Sequence, residues 1–337
     1  MTINIFHRLK EGPWGGGHQF LKALKKELVR LGCYQENSEL ADVVLLNSFE
    51  DTSSLFRFKR KYSSKIFIHR VDGPIFLVRG RDKILDKKVF RINQAVADGT
   101  VFQSKWCLDK SKDLGMPKNE FETVIYNAPD RNIFNRSDKK TLDRKRKIKL
   151  VAVSWSDNWK KGFEYYQFLD DNLNFSRWEF VFVGRSPVKF KNIKIVSPLP
   201  PEKLAALLKE QDIYVTASQN EPCSNALIEA LACGLPSLVL ESGGHPELIG
   251  KGGILLKNKE EMVKGLEKIV QNYKTYADNS PIFSIEKVAQ EYLDFGLSIA
   301  AAVKSGNYLP KKPSWLESLN LSVIKIKELF GRVLKKI

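Results

Sequence analysis

The sequence predicts an α/β protein of two domains, each built on a parallel sheet. Three observations carry this. Short apolar runs alternate with stretches of helical periodicity along most of the chain, the pattern left by βαβ units. The 337 residues suffice for two domains of ordinary size. Between the halves, Arg136 to Lys149 reads RSDKKTLDRKRKIK, rich in charge and poor in large apolar side chains, as a linker would be. The expected division is therefore 1–148 against 149 onward.

The first domain opens with a strand at Ile3–Phe6 and a glycine-containing loop, KEGPWGGG. A helix follows over His18–Leu31, with Phe20, Leu21, Leu24, Leu28 and Leu31 on one face. Strand, glycine turn and helix together let a phosphate approach backbone N–H groups. Gly16 and Gly17 are candidates for that role, although the run lacks the Rossmann spacing and the Walker lysine and also reads as an ordinary tight turn. Ala41–Asn47 and Lys65–Val71 are buried parallel strands. The second ends in His69-Arg70-Val71-Asp72, at the strand end where open α/β sheets bind ligands. Gly99–Gln103 and Thr123–Tyr126 add two strands around a helix over Lys105–Leu114.

In the second domain, the strand Lys149–Ser154 leads into WSDNWKKGF, where Lys161 and its neighbour Lys160 compete as phosphate-binding cations. The strand Glu179–Val183 precedes Arg185, a loop cation. Ile193–Val196, the helix Pro201–Lys209 and Asp212–Ala217 follow. The most informative stretch is NEPCSNALIEALACGLP, Asn220 to Pro236. Ser224 is a good N-cap, Ala226, Leu227, Ala230 and Leu231 give the helix an apolar face, and Gly234 stops it. Glu221 stands just before this helix and Glu229 within it. Both are acceptors for hydroxyls near a helix start that favours an anion, with Ser224 and Asn225 at that start. A phosphorylated sugar suits such a site. The strand Ser237–Leu240 leaves it, and in the next loop, ESGGHPE, His245 reads as a residue without chemistry.

The Glu221–Glu229 spacing, followed by EALACGLP and flanked by strands, resembles the E-x7-E motif of retaining glycosyltransferases of family 4. The resemblance implies the GT-B fold, two Rossmann-like parallel-sheet domains facing across a cleft, with a C-terminal helix crossing back to the first. On that basis 149–283 is the nucleotide-sugar domain, 284–306 the crossing helix and 307–337 a basic amphipathic tail. It implies transfer of a sugar from a nucleotide-diphosphate donor to an acceptor hydroxyl with retention, Glu221 and His69 at the reacting sugar, and Glu229 on the ribose. Lys161, Ser224, Asn225, Gly16, Gly17 and Asp72 would complete the donor site, Asp72 alternatively holding a turn or touching acceptor. The family usually carries an arginine some five residues before the lysine; Trp155 and Ser156 stand there instead. No Asp-x-Asp pair is present, so no metal and no cofactor are expected. A sugar-nucleotide epimerase on the same fold, or a non-catalytic basic protein on a decayed transferase scaffold, are the rival readings.

The net charge of +16 suits a phosphorylated substrate or an anionic surface. The tail, Ser314–Ile337, pairs an apolar face with Lys325, Lys327, Arg332, Lys335 and Lys336, which suggests peripheral contact with an anionic membrane. A glycan or lipid-linked acceptor is expected, and no nucleic acid, since no such module is present. The lack of a charged-then-apolar leader and four cysteines without metal or redox spacing suggest a cytoplasmic setting.

Overall fold

A computed structural model describes residues 1–9, 12, 15–48, 52–80, 83–136, 141–314 and 317. Its strands are β1 (Ile3–Phe6), β2 (Val43–Asn47), β3 (Ile66–Val71), β4 (Gly99–Phe102), β5 (Phe121–Val124), β6 (Ile148–Ser154), β7 (Trp178–Gly184), β8 (Lys194–Val196), β9 (Ile213–Thr216), β10 (Ser237–Leu240) and β11 (Gly253–Leu256). Its helices are α1 (Gly16–Arg30), α2 (Thr52–Lys61), α3 (Ile75–Arg79), α4 (Lys83–Val96), α5 (Lys105–Asp113), α6 (Phe163–Asn172), α7 (Pro201–Lys209), α8 (Asn225–Ala232), α9 (His245–Ile249), α10 (Met262–Gln271), α11 (Tyr273–Asp278) and α12 (Ile285–Lys304). None of them is long and apolar enough to cross a membrane.

The chain divides into two compact units. The first takes Met1–Arg8, Lys25–Tyr126 and the described residues from Lys287 onward; the second takes Leu9–Leu24 and Asn127–Glu286. This differs from the division at 148/149. The charged stretch expected as a linker is tied down within the second unit: Arg136 pairs with Asp278, Arg144 donates to the Val270 carbonyl, and Arg146 grips Asp212 with two hydrogen bonds.

The first unit holds a five-stranded parallel sheet in the order β1-β2-β3-β4-β5. Residues alternate between faces along a strand. Val44 and Leu46 of β2 pack with Leu55, Phe56, Ile92 and Val96 of α2 and α4. Val43, on the other face, meets α12 at Gly296, while Phe295 and Ile299 of α12 close over Gly99 of β4. The C-terminal helix thus belongs to the first sheet. Beside it, buried Asp98 gathers the Lys59 ammonium at 2.8 Å, the Phe67 amide, the Tyr308 hydroxyl and the Lys311 amide.

The second unit holds a six-stranded parallel sheet, β11-β10-β9-β6-β7-β8. From β6 the chain adds β7 and β8 on one side, then crosses back to place β9 on the other. The strand order therefore reverses between β6 and β9, where a crevice opens at the carboxyl ends of open α/β sheets. The core beneath is apolar and largely aromatic, with Phe163, Tyr166, Phe180, Phe182 and Leu266 buried. The tail from 318 on lies outside the described residues.

Candidate active site

The switch between β6 and β9 is built from three loops of the second unit. After β6, the Asn158 side chain caps a single 3-10 turn, Trp159–Lys161, by accepting the Lys160 amide. Gly162 then turns left-handed at φ 92°, and a side chain there would lie 2.7 Å from the Ala217 backbone just after β9. The Gln219 amide donates to the Lys160 carbonyl at 2.8 Å. The turn is thereby pressed onto the β9 end, which brings Lys161 to Glu221. Their Nζ and Oε2 atoms are 2.9 Å apart, with each side chain about one-fifth exposed (20%).

The loop after β10 holds the Glu221 backbone. Gly244 N–H donates to the Glu221 carbonyl at 2.8 Å, and the Asn220 amide donates to Ser242 Oγ at 2.9 Å. Asn220 itself is left-handed, at φ 55°, and Gly243, at φ 64°, comes so close that a Cβ would lie 2.3 Å from the Glu221 carbonyl oxygen. Burial acts to raise the Glu221 carboxyl. The Lys161 charge, with hydrogen bonds from Lys161 and Ser218, outweighs it and holds the group below its ordinary value.

Helix α8 starts at this point. Ser224 Oγ accepts the Leu227 amide at 3.4 Å, and Leu227, Ile228, Ala230 and Leu231 are buried. Asn225 accepts from the Asn127 side chain at 3.1 Å. Gly16, already inside α1, sits against Asn225, whose Cβ and Nδ2 would be 2.7 Å from an added methyl group. The N-terminal glycines and the α8 start, far apart in sequence, are neighbours in this unit.

Glu229 lies on the opposite side of α8 from the core. It is partly buried, and among the described residues no donor pairs with its carboxylate. Burial alone pushes it up to about 8.

His245, the first residue of α9, is fully buried. Its Nδ1 lies 3.0 Å from the Leu240 carbonyl; a carbonyl only accepts, so Nδ1 carries the proton. Nε2 is left with its lone pair, buried and without a hydrogen-bond partner among the described residues. In sequence this residue reads as one without chemistry, and the signal that marks its turn is the double glycine before it.

Two more predicted residues, His69 and Asp72, lie in the first unit. His69 is fully buried within β3. Its Nε2 is 2.6 Å from the carbonyl of Ser48, a residue with φ 50°, and its Nδ1 is 3.3 Å from Asn93 Nδ2. Burial lowers its imidazole to about 4. Both ring nitrogens are thus engaged inside the unit. Asp72 is partly buried at the end of β3, and among the described residues its carboxylate has no hydrogen bond. Gly17 follows Gly16 within α1. Arg185 lies over the Trp155 ring at 4.4 Å, beside Gly15. Among the described residues no three His, Cys, Asp or Glu side chains converge as metal ligands.

A probable sucrose-phosphate synthase of Thermosipho melanesiensis is 31% identical over 163 residues, 45% of this chain and 38% of the synthase. A D-inositol 3-phosphate glycosyltransferase of Corynebacterium jeikeium is 27% identical over 157 residues, 43% of this chain and 33% of that enzyme. The chain thus spans less than half the length of these two relatives. Among solved structures, Anabaena Alr3699/HepE in complex with UDP-glucose aligns with a TM-score of 0.64 at 14% identity, covering 90% of this chain and 100% of that one. Sucrose-phosphate synthase from Thermosynechococcus elongatus aligns at 0.59 and 15% identity, covering 88% and 82%. The fold is GT-B. Residues 139–281, which carry Lys161, Glu221, Ser224, Asn225 and Glu229, match the family of glycosyl transferases group 1.

Proposed function

We propose that this protein is a retaining glycosyltransferase of family 4, moving a sugar from a nucleoside diphosphate to the hydroxyl of a glycan or lipid-linked acceptor. The observation that carries the reading is Glu229, a partly buried carboxyl group with no hydrogen-bond partner among the described residues, beside a capped helix start. In this reading Glu229 accepts hydrogen bonds from the ribose hydroxyls. Glu221, fixed in place by the 242–244 loop, accepts from hydroxyls of the transferred sugar. Lys161 spends one of its three N–H donors on Glu221 and has others for the diphosphate, which also meets the amides and dipole at the start of α8.

The bond between the anomeric carbon and the diphosphate oxygen breaks with its electrons going to the oxygen. The acceptor oxygen bonds the same face of that carbon, and its proton passes to the departing phosphate. Charge grows on the diphosphate in this step, and positioned cations and amides stabilise it without reorganising. That chemistry asks for no metal ligand set and no further cofactor. On the first unit, the open carboxylate of Asp72 is assigned to substrate hydroxyls, while His69 contributes by holding Ser48. The relatives named as glycosyltransferases and the UDP-glucose in the Anabaena structure support the donor class. The net charge of +16 favours an acceptor carried on an anionic surface, which the basic tail would meet.

A thermal-shift screen against UDP-, ADP- and GDP-sugars tests this. At least one should stabilise the wild type, and the same compound should lose its effect on Glu229→Ala. A panel without effect, or an unchanged response in that variant, would overturn the reading.

A further inference from the structure

His245 has no part in the chemistry above, yet its environment is specific. Its Nδ1 proton is committed to Leu240 and its Nε2 lone pair is buried and unpaired. A buried acceptor left unmade costs about 1–3 kcal/mol, so its presence beside a candidate site calls for a physical reason. The ring begins the helix whose preceding loop clamps the Glu221 backbone at Gly243 and Gly244. Two charges act on it, Glu221 from the β9–α8 loop and Lys161 from the turn after β6. Of the elements packed on α9, α8 contributes the titratable Glu229, while β10 and β11 contribute none; Glu247 on α9 itself is exposed.

Neutral His245 presents a lone pair, which cannot receive a hydrogen bond from an ionised carboxylate. Glu221 is therefore left to Lys161. An imidazolium would reverse this, because Nε2 would become a donor and the ring's charge would attract the Glu221 anion. Burial opposes that proton and Glu221 favours it, and burial prevails, so the ring stays neutral at ordinary pH. We infer that His245 is a positioning residue for Glu221: unprotonated, it leaves the carboxylate on Lys161 and open to ligand, and on gaining a proton from solvent it draws Glu221 away. The inference rests on the proposed function only for the identity of what Glu221 holds.

Two measurements test it. The imidazole titration of His245, followed by NMR on the intact chain with its four histidines, should move to lower pH by roughly one pH unit in Glu221→Gln, because the favouring anion is gone. An unmoved midpoint would overturn the coupling. Second, the Kd for UDP-glucose is compared between wild type and His245→Gln from pH 7.5 down to 5. Both share whatever slope Glu229 contributes, so the difference is the readout. The wild type should weaken by an additional five- to tenfold or so, and parallel curves would overturn the inference, since a purely structural His245 would change stability and not the shape of the profile. If the NMR midpoint moves while no sugar nucleotide binds at any pH, the positioning role stands and the proposed function falls.

Discussion

At Glu229 the decisive property is where its proton resides. An ordinary glutamate is ionised at pH 7, whereas this one, raised to about 8 by burial alone, holds its proton until a ligand gives it a reason to release it. Hydroxyls donate most strongly to the ionised form, so donor binding near pH 7 should expel up to one proton. Calorimetry in buffers of different ionisation enthalpy would read that release, and Glu229→Gln should abolish it. The same displacement acts on folding. Because the folded value lies above the unfolded one, its contribution to stability is complete below the ordinary glutamate value and is lost as pH rises through about 8. Melting curves from pH 5 to 9 should show Glu229→Gln gaining on the wild type at the alkaline end, by roughly 2–4 °C for each kcal/mol recovered. Kinetically, Glu229→Ala should raise the donor KM by about 10- to 100-fold, the equivalent of hydrogen bonds to a charged group, with a smaller effect on kcat.

The elements around the site are held by close backbone approach more than by side chains. Gly162 is the clearest case, since its left-handed turn and its contact with Ala217 both exclude a methyl group. Gly162→Ala should cost on the order of 1–3 kcal/mol in urea unfolding, and by shifting the 3-10 turn it should separate Lys161 from Glu221 and weaken donor binding. Gly243→Ala should act likewise through Glu221. These contacts explain what the sequence could and could not convey. The buried strands of both sheets were legible because parallel strands leave uninterrupted apolar runs, and α8 was legible from its cap and apolar spacing. The pairing of Lys161 with Glu221 was not, because a crossover between β6 and β9 brings together residues that no local pattern relates. The surroundings of His69 were hidden for a related reason: its place near a strand end is visible in sequence, whereas the Ser48 carbonyl beside its Nε2 arrives from the end of β2. The packing of Gly16 on Asn225 is likewise set by topology alone.

On the scale of the whole chain, neither unit is a continuous segment. The first closes on itself through Asp98, whose two oxygens hold Lys59 of α2 and Phe67 of β3 on one side and Tyr308 and Lys311 of the C-terminal segment on the other. Asp98→Asn should strand a buried ammonium and destabilise that unit by about 3–5 kcal/mol. Scanning calorimetry should then show its transition moving down and separating from that of the second unit. Charge density marks a solvated segment as readily as a boundary, and in the 136–149 stretch expected as a linker Arg146 and Arg136 are anchored on Asp212 and Asp278. The dependence of the first sheet on α12 also has a meaning in time. The strands through β5 are complete once Tyr126 has been made, yet the face awaiting Phe295 and Ile299 stays bare until the chain has grown past Ile285. At the roughly 5–20 residues per second of synthesis, that wait is on the order of 10–30 s, long enough for a chaperone to find the uncovered sheet before the chain's own last helix does.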